Sequence, residues 1–108
     1  MSIELKGIGV QYVIDESHWI AVEKIAREFG WVPEYVRMSG EITGLQHDVD
    51  DVPEHNARAL ARALYRAIDL IEADSLSDES LWELVKSAGV GNMRAVADLA
   101  ATGTFYAD

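Results

Sequence analysis

Residues 53–71, PEHNARALARALYRAIDLI, form the most regular stretch of this sequence. Apolar residues recur there in alternating steps of four and three, which is the spacing of one face of an α-helix. This stripe, widened by Leu60, consists of Ala57, Ala61, Leu64, Ile68 and Ile71. Its small alanines allow another helix to approach closely. The stretch therefore predicts a long helix packed against other helices.

The ends of this helix are also readable. Pro53 suits a first helical position, because a proline has no N–H to leave unpaired there, and Asp51 or Val52 precedes it. Asp74 and Ser75 end the helix. Two shorter helices follow. One is capped by Ser77 and broken at 89–91, and the other begins at Gly91 or Asn92 and ends near Gly103.

The N-terminal part predicts a strand and a helix. Residues 3–14 alternate in polarity, and Gly7 and Gly9 indicate a bulge or a turn within them. A helix begins between Asp15 and Ser17, either of which is a suitable cap. Gly30 suits the left-handed position after this helix, with Trp31 making the accompanying apolar contact.

Two further extended segments are expected. Residues 35–38 and 41–43 form either two short strands or a plain loop. Residues 104–106 suit an edge strand beside the N-terminal one. The predicted fold is one α+β domain over residues 1–108, dominated by about four helices with a small antiparallel sheet. Its predicted core is Ile8, Val10, Tyr12, Trp19, Val22, Ile25, Phe29, Trp31, Leu60, Leu64, Ile68, Ile71, Leu84, Val85, Val96 and Leu99.

The composition of the chain excludes several kinds of functional site. The 108 residues include nineteen acids and nine lysines and arginines, a net charge of −10, and no cysteine. Thiol nucleophiles, disulfides and cysteine-ligated zinc are excluded. No apolar run reaches the length of a membrane span, and the residues after Met1 do not resemble a signal peptide, so a cytoplasmic protein without a membrane partner is expected. Strong acidity also steers a protein onto basic partners.

An acidic segment offers metal ligands at short spacing. The candidates are His47, Asp48, Asp50, Asp51 and His55. The calcium-loop pattern fails, because its sixth position, which requires a glycine, is Pro53 when counted from Asp48. The histidines lack the spacing of a zinc pair. Helix-dipole stabilisation by Asp50, Asp51 and Glu54 is the favoured interpretation, and no metal or other cofactor is predicted.

Three arginines, Arg58, Arg62 and Arg66, lie four residues apart and share one ridge of the long helix. One interpretation is a docking strip for a partner that carries carboxylates or phosphates. The favoured one is local pairing of Glu54 with Arg58 and of Arg66 with Asp69.

Residues 84–99, LVKSAGVGNMRAVADL, resemble a helix-hairpin-helix motif. In that family, glycines such as Gly89 and Gly91 let backbone amides hold a DNA phosphate. Here Met93 stands where a lysine is frequent, Lys86 and Arg94 are the nearby cations, and a chain of charge −10 repels DNA. A tight turn between two helices is the favoured interpretation.

A wider pattern spans residues 18–106. It contains A-x-x-[FY]-G-W-x-P at 26–33, a loop with Gly44 and Val49, A-x-x-L-A-x-A-L-x-x-A at 57–67, and Gly-x-Phe at 103–105. This pattern resembles a group of small, uncharacterised bacterial proteins. The resemblance implies a bacterial origin and a compact fold, and it brings no activity.

No catalytic motif is recognisable, so we expect a non-enzymatic interaction protein that acts through a protein partner or through self-association. The alternatives are nucleic-acid association through Gly89–Gly91 and a small metal site at His47–His55. The candidate partner-binding residues are Arg58, Arg62, Arg66, Gly89, Gly91 and Arg94.

Overall fold

The structure is a computed structural model that describes residues 2–33, 36–37 and 50–107. Within these ranges the chain is an α+β fold dominated by four helices, as predicted. The elements in chain order are β1 (Ser2–Gly7), β2 (Gln11–Asp15), α1 (Glu16–Glu28), β3 (Val36–Arg37), β4 (Asp50–Val52), α2 (Glu54–Glu72), α3 (Glu79–Ala88), α4 (Val90–Ala101) and β5 (Phe105–Ala107). No helix in the described ranges is long and apolar enough to cross a membrane.

The five strands form one antiparallel sheet in the order β2-β1-β5-β4-β3. The predicted pairing of the C-terminal segment with the N-terminal strand is confirmed, but its predicted place at an edge is wrong. Phe105 lies opposite Gly7 of β1 on one side and opposite Val52 of β4 on the other. The C-terminal strand is therefore the central strand of the sheet.

The predicted N-terminal strand is a hairpin, and its glycines mark the turn. The Gly7 N–H donates to the Val10 carbonyl at 2.9 Å, and Gly9 has a left-handed φ of 71°. Ile8 and Val10 are 66% and 38% exposed, so their predicted place in the core is wrong. The turn carries them past the end of the sheet, where alternation of faces no longer applies.

The connection between α1 and α2 contains a strand pair. Val36–Arg37, a predicted strand segment, forms β3, but its partner is β4 at residues 50–52. The predicted strand at 41–43 lies outside the described residues. Asp50 and Asp51 therefore belong to a strand and not to the start of a helix, which corrects the dipole interpretation. A residue that precedes a proline favours extended backbone. Val52 precedes Pro53 and is the last residue of β4.

The end of α1 follows the prediction. The Trp31 N–H donates to the Ala26 carbonyl at 3.0 Å, and the Gly30 N–H donates to the Arg27 carbonyl at 3.1 Å, with Gly30 at φ 97°. This is the Schellman pattern, which needs a residue that tolerates a positive φ. At the start of α1, the carboxylate of Asp15 accepts from the Ser17 N–H at 3.1 Å.

The other helix starts differ from the predictions by a residue or two. Pro53 is the cap of α2 rather than its first residue, with ψ at 154°. Asp78 and not Ser77 caps α3, because its carboxylate accepts from the backbone N–H groups of Ser80 and Leu81. α4 begins at Val90, directly after Gly89.

The helices cover one face of the sheet and enclose the core. Most predicted core residues are buried, but Tyr12, Phe29, Ile71 and Leu84 are only partly so. The prediction omitted several large buried side chains: Ile3, Leu5, Ile14, Met93 and Phe105. Burying each such side chain stabilises the fold by about 1.5–3 kcal/mol.

Candidate functional site

Helices α2 and α4 pack antiparallel, and polar side chains join them along their exposed edge. The hydroxyl of Tyr65 on α2 donates to Asp98 of α4 at 2.5 Å. About two turns further along α2, Glu72 forms an ion pair with Arg94 of α4. These bridges join the two helices at the surface.

A cleft opens where the bridges stop. Its volume is about 210 Å³, and we call it the α2–α4 cleft; it is lined by Arg58, Ala61, Arg62, Tyr65 and Ala101. Ala61 of α2 and Ala101 of α4 contribute only methyl side chains to this lining. An apolar floor flanked by guanidinium groups is an arrangement that binds a carboxylate or phosphate.

The arginines of the ridge differ in their partners. The predicted pair of Glu54 and Arg58 is present, with Oε1 of Glu54 3.0 Å from Nη2 of Arg58. The predicted pair of Arg66 and Asp69 is absent, although both side chains are described. Arg62 likewise makes no ion pair with a described residue. Arg62 is thus an exposed cation on the cleft wall that no described acid neutralises.

The phenol of Tyr65 is held in its neutral form. Burial and the hydrogen bond to Asp98 raise the pKa of Tyr65 from 10.0 to about 12. Because its proton points to Asp98, the phenol oxygen can only accept a hydrogen bond from a ligand in the cleft. The tyrosine therefore acts as a wall of the cleft and not as an acid near neutral pH.

The predicted turn at Gly89–Gly91 is a single residue, Gly89, which joins α3 to α4. The Gly89 N–H donates to the Val85 carbonyl at 2.8 Å and ends α3, while the Gly89 carbonyl accepts from Met93 in α4. Met93 is fully buried, and Arg94 is paired with Glu72. Gly91 is exposed, and a β-carbon added to it would meet no other atom within 4 Å.

The candidate metal residues are only partly described. His47 and Asp48 lie outside the described residues, and of Asp50 and Asp51 only the strand position is described. His55 is exposed in the first turn of α2. In the described part of the chain, no group of three or more histidine, aspartate or glutamate side chains is placed to hold a metal ion.

Two shallow hollows lie at the tip of the β1–β2 hairpin, with volumes of about 390 and 300 Å³. Lys6, Gly7 and Tyr106 line both. The ammonium of Lys6 lies 5.9 Å from the ring centre of Tyr106 and 3.2 Å from Glu4, so described neighbours already engage this cation. The α2–α4 cleft is the better candidate site.

Sequence reasoning identified the arginines of the cleft but not its other walls. Tyr65 lies one helical turn from Arg62, a spacing that offered a signal. No sequence signal pointed to Ala101, because its place beside α2 depends on how α4 packs. Two buried polar side chains, Glu23 and Asn56, were also missed, although both lie at helical spacing from core residues.

Comparison with known proteins identifies no relative: no family model, no curated protein and no solved structure matches this chain.

Proposed function

We propose that this protein is a non-enzymatic interaction protein that binds a partner protein through the α2–α4 cleft. Arg62 carries the proposal, because it is an exposed guanidinium without a described ion-pair partner beside an alanine floor. A guanidinium presents a planar fork of donors that fits a carboxylate. A guanidinium also fits a phosphate, but the anchor that an unmodified protein partner offers is a carboxylate.

The charges around the cleft indicate which residues should flank the carboxylate in the partner. The exposed acids Glu54 and Asp98 bond to the lining residues Arg58 and Tyr65, and the whole chain has a net charge of −10. A uniformly acidic partner would be repelled, whereas a basic surface is attracted and steered. The partner segment that fits is a single carboxylate flanked by lysines or arginines.

The test uses two synthetic peptides that differ at one position. One carries a glutamate between lysines, and the other carries glutamine in its place. Isothermal titration of the wild-type protein is expected to give about fivefold tighter binding for the glutamate peptide, which corresponds to the roughly 1 kcal/mol of an exposed ion pair. Both affinities fall with added salt, because exposed charges are screened.

The matched variants are Arg62→Gln and Lys24→Gln. Each removes one exposed cation from a helix, and only Arg62 lines the cleft. Arg62→Gln should abolish the preference for glutamate, and Lys24→Gln should keep it. Equal binding of the two peptides to wild type, or an unchanged preference in Arg62→Gln, would refute the cleft as the site.

Duplex DNA provides a further arm of the test. A mobility shift at low salt, where phosphate binding is strongest, would favour the nucleic-acid alternative at Gly89–Gly91. Neutralisation of Lys86 would weaken that shift and leave the peptide preference intact.

A further inference from the structure

Strand β2 is the last strand of the sheet, and the direction of its backbone groups follows from the hairpin. The Gly7 N–H donates to the Val10 carbonyl, so these two residues form a hydrogen-bonded pair. Bonded and non-bonded pairs alternate in an antiparallel ladder. Tyr12 and Ile14 therefore bond to β1, whereas the N–H and C=O of Gln11 and Val13 point towards the open edge.

Within the described residues, no strand pairs with this edge, and the single charged residue of β2, Asp15, lies at its end. Natural edge strands carry prolines, lysines or bulges that prevent another strand from adding. The five residues of β2, QYVID, contain neither proline nor lysine, and their register with β1 is continuous from Ser2–Asp15 to Lys6–Gln11. Val13 is 51% exposed on this strand. A β-branched residue here favours a further strand.

The strand is complementary to itself. If two copies of β2 pair antiparallel with Val13 on the two-fold axis, Gln11 lies opposite Asp15 of the second copy and Tyr12 lies opposite its Ile14. No like charges face each other in this register, because Asp15 lies opposite the uncharged Gln11. The two Val13 residues then exchange both of their outward backbone hydrogen bonds.

We infer that the protein forms a homodimer by β2–β2 pairing, which joins two five-stranded sheets into one. A second copy is the occupant that fits, because one register satisfies both edges at once, as two-fold interfaces require. The inference does not depend on the proposed function, since β2 contributes no residue to the α2–α4 cleft.

The net charge of the chain predicts how dimerisation depends on salt. Each copy carries a net charge of −10, so the two copies repel each other over distances longer than the contact itself. Salt screens this repulsion, with a Debye length of about 10 Å at 0.1 M. Dimerisation therefore strengthens with added salt, whereas peptide binding in the cleft weakens. The two effects separate the failure of one proposal from the failure of the other.

The experiment is sedimentation equilibrium of the full chain over a range of concentrations, at low and at high salt. We expect a mass twice the 11.9 kDa of one chain, reached at a lower protein concentration in high salt. Hydrogen exchange adds a residue-level measurement. The Val13 amide should become protected as the dimer forms, and the Tyr12 amide should be protected in both states.

Two variants test the edge, and a third is their control. Val13→Pro removes the outward N–H, which β1 does not use, and Val13→Lys places two cations face to face on the axis. Both should be monomeric. Val32→Lys introduces the same charge at a side chain that is 71% exposed and lies outside every described strand, and it should dimerise like wild type. If Val13→Pro fails to fold, the oligomeric state of Val13→Lys alone tests the β2–β2 pairing.

A wild-type chain that stays monomeric at every concentration and salt level would overturn the inference. So would a dimer that persists in both Val13 variants, because it would use another surface. Loss of the dimer in the Val13 variants, with a Val32→Lys dimer retained, supports it.

Discussion

The indole of Trp31 donates a hydrogen bond to the side-chain carbonyl of Asn56 at 3.1 Å, and both residues are buried. The amide of Asn56 in turn donates to the Val32 backbone carbonyl at 2.7 Å. Asn56 lies in the first turn of α2, and Trp31 follows the end of α1. One amide side chain thus holds the exit of the first helix against the entry of the second.

Replacing Asn56 by alanine should destabilise the fold by about 2–4 kcal/mol. The change removes the hydrogen bonds that join Asn56 to the buried indole N–H of Trp31 and to the backbone carbonyl of Val32. Urea unfolding followed by tryptophan fluorescence measures the change in the free energy of unfolding. Arg66→Ala, on the exposed side of the same helix, is the control and should stay within about 0.5 kcal/mol of wild type. In a Trp31→Phe background the cost of Asn56→Ala should shrink, and equal costs in both backgrounds would contradict the coupling.

Replacing Tyr12 by phenylalanine should destabilise the fold by about 1 kcal/mol. The hydroxyl of Tyr12 on β2 donates to Asn92, whose amide donates to the Ala88 carbonyl at the end of α3. The change removes one hydrogen bond that ties the sheet to the α3–α4 joint. Tyr106→Phe is a matched control, because the Tyr106 hydroxyl makes no hydrogen bond with a described residue. Equal unfolding midpoints for the two variants would argue against this tie.

Alanine at two glycines should change stability in opposite directions. Gly30 has a φ of 97°, so Gly30→Ala strains the backbone and should cost about 1–2 kcal/mol, although its β-carbon meets no atom within 4 Å. Gly91 lies in the first turn of α4, has no positive φ and is equally open. Gly91→Ala should therefore stabilise by about 0.5–1 kcal/mol. Thermal unfolding of both variants checks the signs, and a destabilised Gly91→Ala would show that this glycine has another role.

Stability should fall at alkaline pH through Tyr65. Its pKa is 10.0 in the unfolded chain and about 12 in the fold, so the folded chain holds the proton more tightly. The stabilisation is complete below pH 10 and is lost as the pH rises from 10 to about 12. The denaturation midpoint of wild type should drop more steeply across this interval than that of Tyr65→Phe. Parallel curves would show that the phenol of Tyr65 titrates normally.

Local patterns in the sequence predicted the helices and several of their ends. Periodicity located α2, and Gly30 was correctly assigned to the left-handed position, because both depend on residues within one or two turns of the chain. The prediction of an α+β fold dominated by helices follows from the same local signals. Cap positions erred by a residue or two, as with Asp78 in place of Ser77, because neighbouring polar residues compete for one site.

The order of the strands and the position of the cleft depend on contacts between distant segments of the chain. A strand's neighbours are distant in sequence, so nothing near Phe105 reveals that β4 pairs with its second side. Alternation along 3–14 did not show that Ile8 and Val10 leave the sheet at a turn. The lining of the α2–α4 cleft brings Ala61 of α2 together with Ala101 of α4. That meeting is a consequence of packing between distant segments, which local sequence does not encode.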